Sequence, residues 1–304
     1  MFSCISNAMQ QSFLTGVFWI LLSATSMAFV GLFAEAGFHY MSLTAMVLGR
    51  FVAAFIICFF WLLFSRQLRL FRLEHIKMNI WRSFFFFFAQ YSFFYYLAHD
   101  TLLNGIVLLN AGPLFIPFVE KKLFGTKIGI SSWVSLFISF IGVLFVLQPA
   151  EGFLSWVSLV GFFAGLSQAI SQVLFGMNAR KENTQVGTLS LLGFMVILSS
   201  LPYFLVNEST FTPVTHRSFA IGIIALLGLA SVLNQFTRGL AYQHGTPSRL
   251  SPFLYFSVVW AGILDWIVFG TLPNALSIIG AILVIFAGAL KIYLRRIILR
   301  KKNY

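Results

Sequence analysis

LTAMVLGRFVAAFIICFFWLLF, residues 43–64, decides the fold, because a single charged side chain, Arg50, stands in a run that is otherwise almost wholly apolar. A bilayer core of about 30 Å is crossed by about 20 such residues at 1.5 Å each. Working outward, comparable runs stand near 13–35, 83–98, 102–119, 128–148, 154–177, 187–206, 219–240, 250–269 and 275–293. Irregular backbone cannot face hydrocarbon. The runs therefore predict an all-α polytopic membrane protein of about ten transmembrane helices. The first run is longer than a signal-peptide core and reads as a retained helix.

Composition agrees. The 304 residues are 59% hydrophobic and 9% charged, against about 25% charged in a soluble domain, which excludes a soluble globule. A net charge of +12 raises nucleic acid as a partner, but the basic residues lie in short loops and one tail and build no basic domain. The two cysteines, Cys4 and Cys58, have no Cys or His cluster beside them, so neither a disulfide framework nor a metal site is expected. No P-loop, HExxH, GxSxG or GxGxxG occurs, so no catalytic residue and no cofactor are assigned. Energy, if the chain uses any, would come from an ion gradient of protons or sodium, from the membrane potential or from exchange of a counter-solute.

Basic residues are retained on the cytoplasmic face. With the amino terminus placed inside, eighteen of the 20 Lys and Arg fall on that side. They are Arg66, Arg69, Arg72, Lys77, Arg82, Lys121, Lys122, Lys127, Arg180, Lys181, Arg238, Arg249, Lys291, Arg295, Arg296, Arg300, Lys301 and Lys302. Arg217 falls outside and Arg50 within a span. Both termini are thus expected in the cytoplasm of a bacterial-type inner membrane. An internal echo accompanies the count. Asn104-Gly105, Ala111-Gly112-Pro113, Phe124-Gly125-Thr126 and Ile141-Gly142-Val143 are answered by His244-Gly245, Leu250-Ser251-Pro252, Phe269-Gly270-Thr271 and Ile279-Gly280-Ala281. Five helices per half is odd, which points the halves in opposite directions.

The stretch Leu250-Ser251-Pro252-Phe253-Leu254-Tyr255, then Trp260-Ala261-Gly262-Ile263-Leu264-Asp265-Trp266, Phe269-Gly270-Thr271 and Ile279-Gly280-Ala281 resembles the drug/metabolite transporter superfamily, specifically its EamA-type carriers. Arg50 and Pro113 sit where the first repeat of that family commonly has Arg and Pro. Gly270-Thr271 stands where the family often has Gly-Glu, and Glu120 in the first half precedes Lys121. The resemblance implies two inverted five-helix repeats, 13–148 and 154–293, with 294–304 a basic cytoplasmic tail. It also implies secondary transport of a small organic metabolite, such as an amino acid, S-adenosylmethionine or a vitamin, by alternating access.

Polar residues inside apolar spans need partners, water or a solute. The cavity candidates are Arg50, Gln90, Tyr91, Tyr95, Asn110, Gln168, Gln172, Asn234, Tyr255 and Trp260. Arg50 suits an anchor for an anion through its planar donors, or else a fixed pair with Glu35. Gln168 and Gln172, four apart, share one helix face. The rings join an aromatic face to a polar tip. Glu35 and Asp265, near span ends, are candidates for ion coupling. Pro113, Pro117 and Pro252 each remove a helical hydrogen bond and are candidate hinges. Two alternatives remain open: an integral-membrane enzyme acting on a lipid-linked substrate through His39, His99 and Asp100, and a non-transporting scaffold.

Overall fold

The computed structural model describes residues 2–38, 40–66, 69, 76–97, 108–148, 156–179, 181–206, 217–270 and 272–301. The elements are helices α1 (Phe2–Phe38), α2 (Leu43–Phe64), α3 (Ile76–Leu97), α4 (Gly112–Phe124), α5 (Ile130–Leu147), α6 (Trp156–Asn178), α7 (Thr184–Leu205), α8 (Arg217–His244), α9 (Pro247–Leu254), α10 (Phe256–Phe269) and α11 (Ala275–Lys301). α9 and α10 are two pieces of one broken span, so ten crossings result. Among the described residues, eight spans are long and apolar enough to cross a membrane by length and composition alone. The other two are α3, which carries Lys77, Asn79, Arg82 and Gln90, and the short α4.

Several expected boundaries move. The third span begins at Ile76 rather than near 83, which brings Arg82 into a helix instead of a loop. The fourth is helical from Gly112 to Phe124; residues 98–107, with His99, Asp100 and Asn104, lie outside the described residues, as does His39. The last helix continues to Lys301, so most of the expected tail is helical.

Large apolar side chains are exposed all around the bundle, among them Phe64, Phe204, Ile267 and Leu272, as a chain solvated by lipid allows. The phenylalanine run of α3 divides by helical angle. Phe84 and Phe88 face outward, while Phe86 is buried against Phe51 of α2.

The interior is assembled by pairs. α1 lies along α8, α3 along α6, and α5 along α11; α2 packs on both α7 and α8, α4 on α6, and α9 and α10 on α1. Advancing each helix of the first half by five positions reproduces these pairings. The α1–α8 and α3–α6 pairs are antiparallel. Ser12 meets His244 and Ser23 meets Asn234 in the first, while Asn79 meets Asn178 and Arg82 meets Phe175 in the second.

Proline positions set the breaks. Pro252 within α9 has no N–H for the carbonyl of Ser248, and Ser251 Oγ donates to that carbonyl instead at 3.2 Å. The helix then ends at Leu254 and restarts at Phe256. Pro117 is interior to α4, whereas Pro113 lies in its first turn, where a missing N–H costs nothing. Expected as a mid-helix break, Pro113 instead follows the turn at Ala111 that separates α4 from helical residues 108–110. α4 and α10 both terminate on glycines in the left-handed region, Gly125 (φ 64°) and Gly270 (φ 70°), a conformation any side chain with a Cβ resists.

Candidate functional site

Where α1, α3, α6 and α8 converge, polar side chains replace the apolar core. Spacing explains how each helix presents them. Ser231, Asn234, Gln235, Arg238 and Tyr242 fall at i, i+3, i+4, i+7 and i+11 of α8, one face of the helix. Gln168, Ser171, Gln172, Phe175 and Asn178 do the same on α6, and Asn79, Arg82, Phe86 and Gln90 on α3.

Arg82 is the centre of the cluster, with 2% of its surface exposed. Its Nη2 donates to Gln235 Oε1 at 2.8 Å, and its guanidinium lies over the Phe175 ring, 3.3 Å from the centroid. Nη1 is buried and meets no acceptor among the described residues. Ser171 Oγ donates to the Arg82 carbonyl at 3.0 Å. Arg238, also buried, donates from Nε to Ser23 Oγ at 3.1 Å. Asn234 Nδ2 donates to the Ser23 carbonyl at 2.7 Å. Tyr242 OH donates to Gln172 Oε1 at 2.5 Å. These bonds join α3 to α8, α1 to α8 and α6 to α8.

Arg82, Phe86, Gln168, Ser171, Gln172, Phe175, Gln235 and Arg238 enclose a cavity of about 10 Å³, roughly the room for one water. No Asp or Glu lines it. The charges acting on Arg82 are Arg238, of like sign, and Glu182. Glu182 sits at the end of α6, where it accepts from Asn79 Nδ2 at 3.0 Å and Asn178 Nδ2 at 2.5 Å. Two buried guanidiniums without a directly paired carboxylate are expensive in a membrane protein. The cavity is therefore positive and too small for a metabolite.

Of the residues expected at a site, Gln168 and Gln172 line this cavity, and Asn234 and Gln90 are buried beside it on α8 and α3. Arg50 stands elsewhere on the same seam. Its Nε donates to Ser231 Oγ at 2.9 Å, seven residues from Arg238 on α8 and hence about 10 Å along it. The bond joins α2 to α8 rather than to Glu35. Tyr91 OH reaches the carbonyl of Ser199 on α7 at 3.5 Å. Tyr255 is wholly buried between α5 and α11 with no partner for its hydroxyl among the described residues. Asn110 is half-buried just before α4. Tyr95 and Trp260 are exposed at 54% and 39%, facing away from the cavity. Glu35 is exposed and Asp265 half-exposed, and neither lines it.

Three cations assigned by sequence to cytoplasmic loops or the tail are buried in the bundle: Arg82, Arg238 and Lys291. Lys291 Nζ donates to Ser131 Oγ at 3.3 Å and to Ser132 Oγ at the start of α5. Glu120 was likewise passed over. Its carboxylate is 2% exposed and accepts from the backbone N–H of Ser248 at 2.8 Å, anchoring the first turn of α9. The signal available in the sequence was helical spacing, since 79, 82, 86 and 90 form one face once the third helix is extended. Glu120→Ala is expected to lower stability by about 1–3 kcal/mol, the cost of an orphaned buried N–H at a helix start. A melting curve in detergent would measure it, and the relative affinity for different solutes should not change.

A ten-crossing bundle closed around a polar centre is an architecture that membrane transporters use. The chain resembles the EamA-like transporter family, whose pattern matches residues 14–148. It is 23% identical over 307 residues to an S-adenosylmethionine uptake transporter of Rickettsia felis, covering 98% of this chain and 99% of that one. It is 24% identical over 201 residues to the pseudopaline exporter of Pseudomonas aeruginosa, covering 64% and 67% of the two chains. A riboflavin transporter of Rhizobium johnstonii is 24% identical over 192 residues, 63% of this chain and 62% of that one. A solved crystal structure with 17% sequence identity superposes with a TM-score of 0.78, covering 95% of this chain and 98% of the other. That last likeness speaks for the fold.

Proposed function

We propose that this protein is a secondary transporter that carries a small organic metabolite through the cavity between α1, α3, α6 and α8 by alternating access. The carrying observation is that this polar centre, with its two buried guanidiniums, has narrowed to about the volume of one water. A scaffold gains nothing from burying two like charges there, whereas a carrier must close around its site between openings. Relatives named for S-adenosylmethionine, riboflavin and pseudopaline support a small metabolite as the solute.

The chain divides into two oppositely oriented five-helix repeats, α1–α5 and α6–α11, with the site between them. Support comes from pairings that recur on a shift of five helices and from α5 running antiparallel to α11. The break at Ala111–Gly112 beside α6 and the break at Tyr255 beside α1 occupy matching places, and these are the hinges. Both termini lie in the cytoplasm of a bacterial-type inner membrane. The support is the charge bias of the sequence: with the three buried cations set aside, fifteen Lys and Arg remain assigned to that side, against Arg217 on the other.

Two measurements test the reading. Gln168→Cys, in a background with Cys4 and Cys58 replaced by Ala, is expected to react with membrane-impermeant maleimide from either face, with the accessible face changing as solute is added. Counterflow in liposomes should show exchange of at least one labelled metabolite among amino acids, S-adenosylmethionine, vitamins and nucleosides. Lack of labelling from both faces in every condition, together with no counterflow, would reject it.

A further inference from the structure

A second group of cations gathers where the starts of α5 and α9 meet α11 at the end of its apolar span, Ala275–Arg295. Lys291 is buried there and donates to Ser131 Oγ at 3.3 Å and to Ser132 Oγ. Arg295, one turn on, shares that face of α11. Its guanidinium lies over the Phe13 ring of α1, 4.0 Å from the centroid, and its Nε is buried with no acceptor among the described residues. Arg249 stands exposed in the first turn of α9, where the helix dipole disfavours a cation. The charges acting on Lys291 are Arg295 and Arg249, and the charge acting on Arg295 is Arg249, all of one sign. The carboxylate of Glu120 on α4 is buried and turned to the Ser248 N–H. α5 begins at Gly129 with no side-chain cap, so its first N–H groups add to the positive potential.

Ser131 and Ser132 accept hydrogen bonds from Lys291 but bring no charge. Like charges gathered at the edge of a membrane raise the free energy of the bundle until an anion joins them. Water would meet the Arg295 Nε and leave the charge unanswered. A group with negative charge and several acceptor oxygens answers both, and a phosphate has that chemistry. The cations stand at the ends of spans, the level of lipid headgroups, and Ile130 and Tyr293 beside them are exposed, offering apolar surface to acyl chains. Basic pockets between spanning helices at that level suit anionic headgroups. We propose that Lys291, Arg295 and Arg249 form a phosphate-binding site on the rim of the bundle, filled from the bilayer by the headgroup of an anionic phospholipid. The bound phosphate ties α5 to α9 and α11, so occupancy stabilises the fold.

Melting the full chain in nanodiscs of phosphatidylcholine, with and without phosphatidylglycerol, and in phosphatidylcholine with inorganic phosphate in the buffer, provides the test. Phosphatidylglycerol is expected to raise the Tm by about 2–4 °C. Lys291→Met, which fills the space without charge, and Arg249→Gln should each lose half of that rise or more. Arg249 is exposed, so its variant folds even where the Lys291 variant does not. Lys181→Gln removes an exposed cation that follows α6 and should keep the rise. A rise with inorganic phosphate alone, lost in the same variants, would uphold the site and make the free ion its occupant in place of the lipid. An equal rise in the parent and both site variants, as diffuse surface charge would give, or no rise with either probe, would overturn the proposal.

Discussion

Arg82→Ala lowers solute flux in liposomes by about tenfold to a hundredfold while the protein still inserts and melts cooperatively. The expectation follows from what Arg82 does on either side of folding. For stability the change has two opposed parts. It orphans Gln235 Oε1 and uncovers the Phe175 face, but it also removes a buried charge that the bundle must accommodate, and such trades are often near neutral. For transport nothing offsets the loss. Each charge-assisted bond to a solute contributes about 1.5–3 kcal/mol, and the one open to Nη1, at about 1.4 kcal/mol per decade, accounts for about tenfold to a hundredfold. Arg82→Met separates the roles further. It fills similar volume without charge, so a merely structural arginine would leave flux intact, whereas a solute anchor loses flux as Ala does. Arg50→Ala is the internal comparison. Its hydrogen bond to Ser231 sits about 10 Å along α8 from the Arg238 contact, and about a threefold change or less is expected. Reversal of that order would relocate the site to the α2–α8 seam.

Most of the crossings were legible in the sequence because eight of them are long apolar runs and lipid tolerates little else. Residues 43–64, expected as one span, form α2 with the same limits. The third span was the poorest match, for a physical reason. Its first two turns carry Lys77, Asn79 and Arg82, and hydropathy treats such residues as loop, although burial against α6 and α8 makes them helical. Charge counting erred at Arg82, Arg238 and Lys291 for the same cause, since a cation satisfied by amide, ring or serine partners needs no water. Gln168 and Gln172 were identifiable from their i, i+4 spacing. Their partners were not, because the bonds to Tyr242 and the gap left at Gln168 depend on how α6 and α8 cross, which no local pattern encodes. Glu120 looked like a loop-edge charge beside Lys121 and Lys122, and only the packing of α9 shows that it holds a helix start.

The echo of Ile141-Gly142-Val143 by Ile279-Gly280-Ala281 leads to the second large effect. In the fold these glycines meet. A Cβ on Gly142 would lie 2.7 Å from the Gly280 carbonyl oxygen, and one on Gly280 would strike the Gly142 carbonyl and lie 2.8 Å from the Val146 nitrogen. Backbone atoms cannot rotate away as a side chain can, so α5 and α11 would have to separate along their whole length. That seam is fixed at both ends as well. Gln148 Nε2 donates to Asn274 Oδ1 at 2.8 Å at one end, and Lys291 donates to Ser131 and Ser132 at the other. Separation at the middle therefore strains both. Gly280→Ala is expected to destabilise the protein by about 1–3 kcal/mol, the usual cost of overpacking, and Gly280→Leu to abolish the folded state. Gly31→Ala makes the opposite prediction. It lies in α1 with nothing within 4 Å of the added methyl, so reduced backbone entropy and better helix propensity should raise stability by about 0.5–1 kcal/mol. Melting curves of the two alanine variants, taken in the same detergent, decide the matter. If Gly280→Ala melts with or above the parent protein, α5 and α11 do not cross at these glycines and the antiparallel joining of the two halves fails with it.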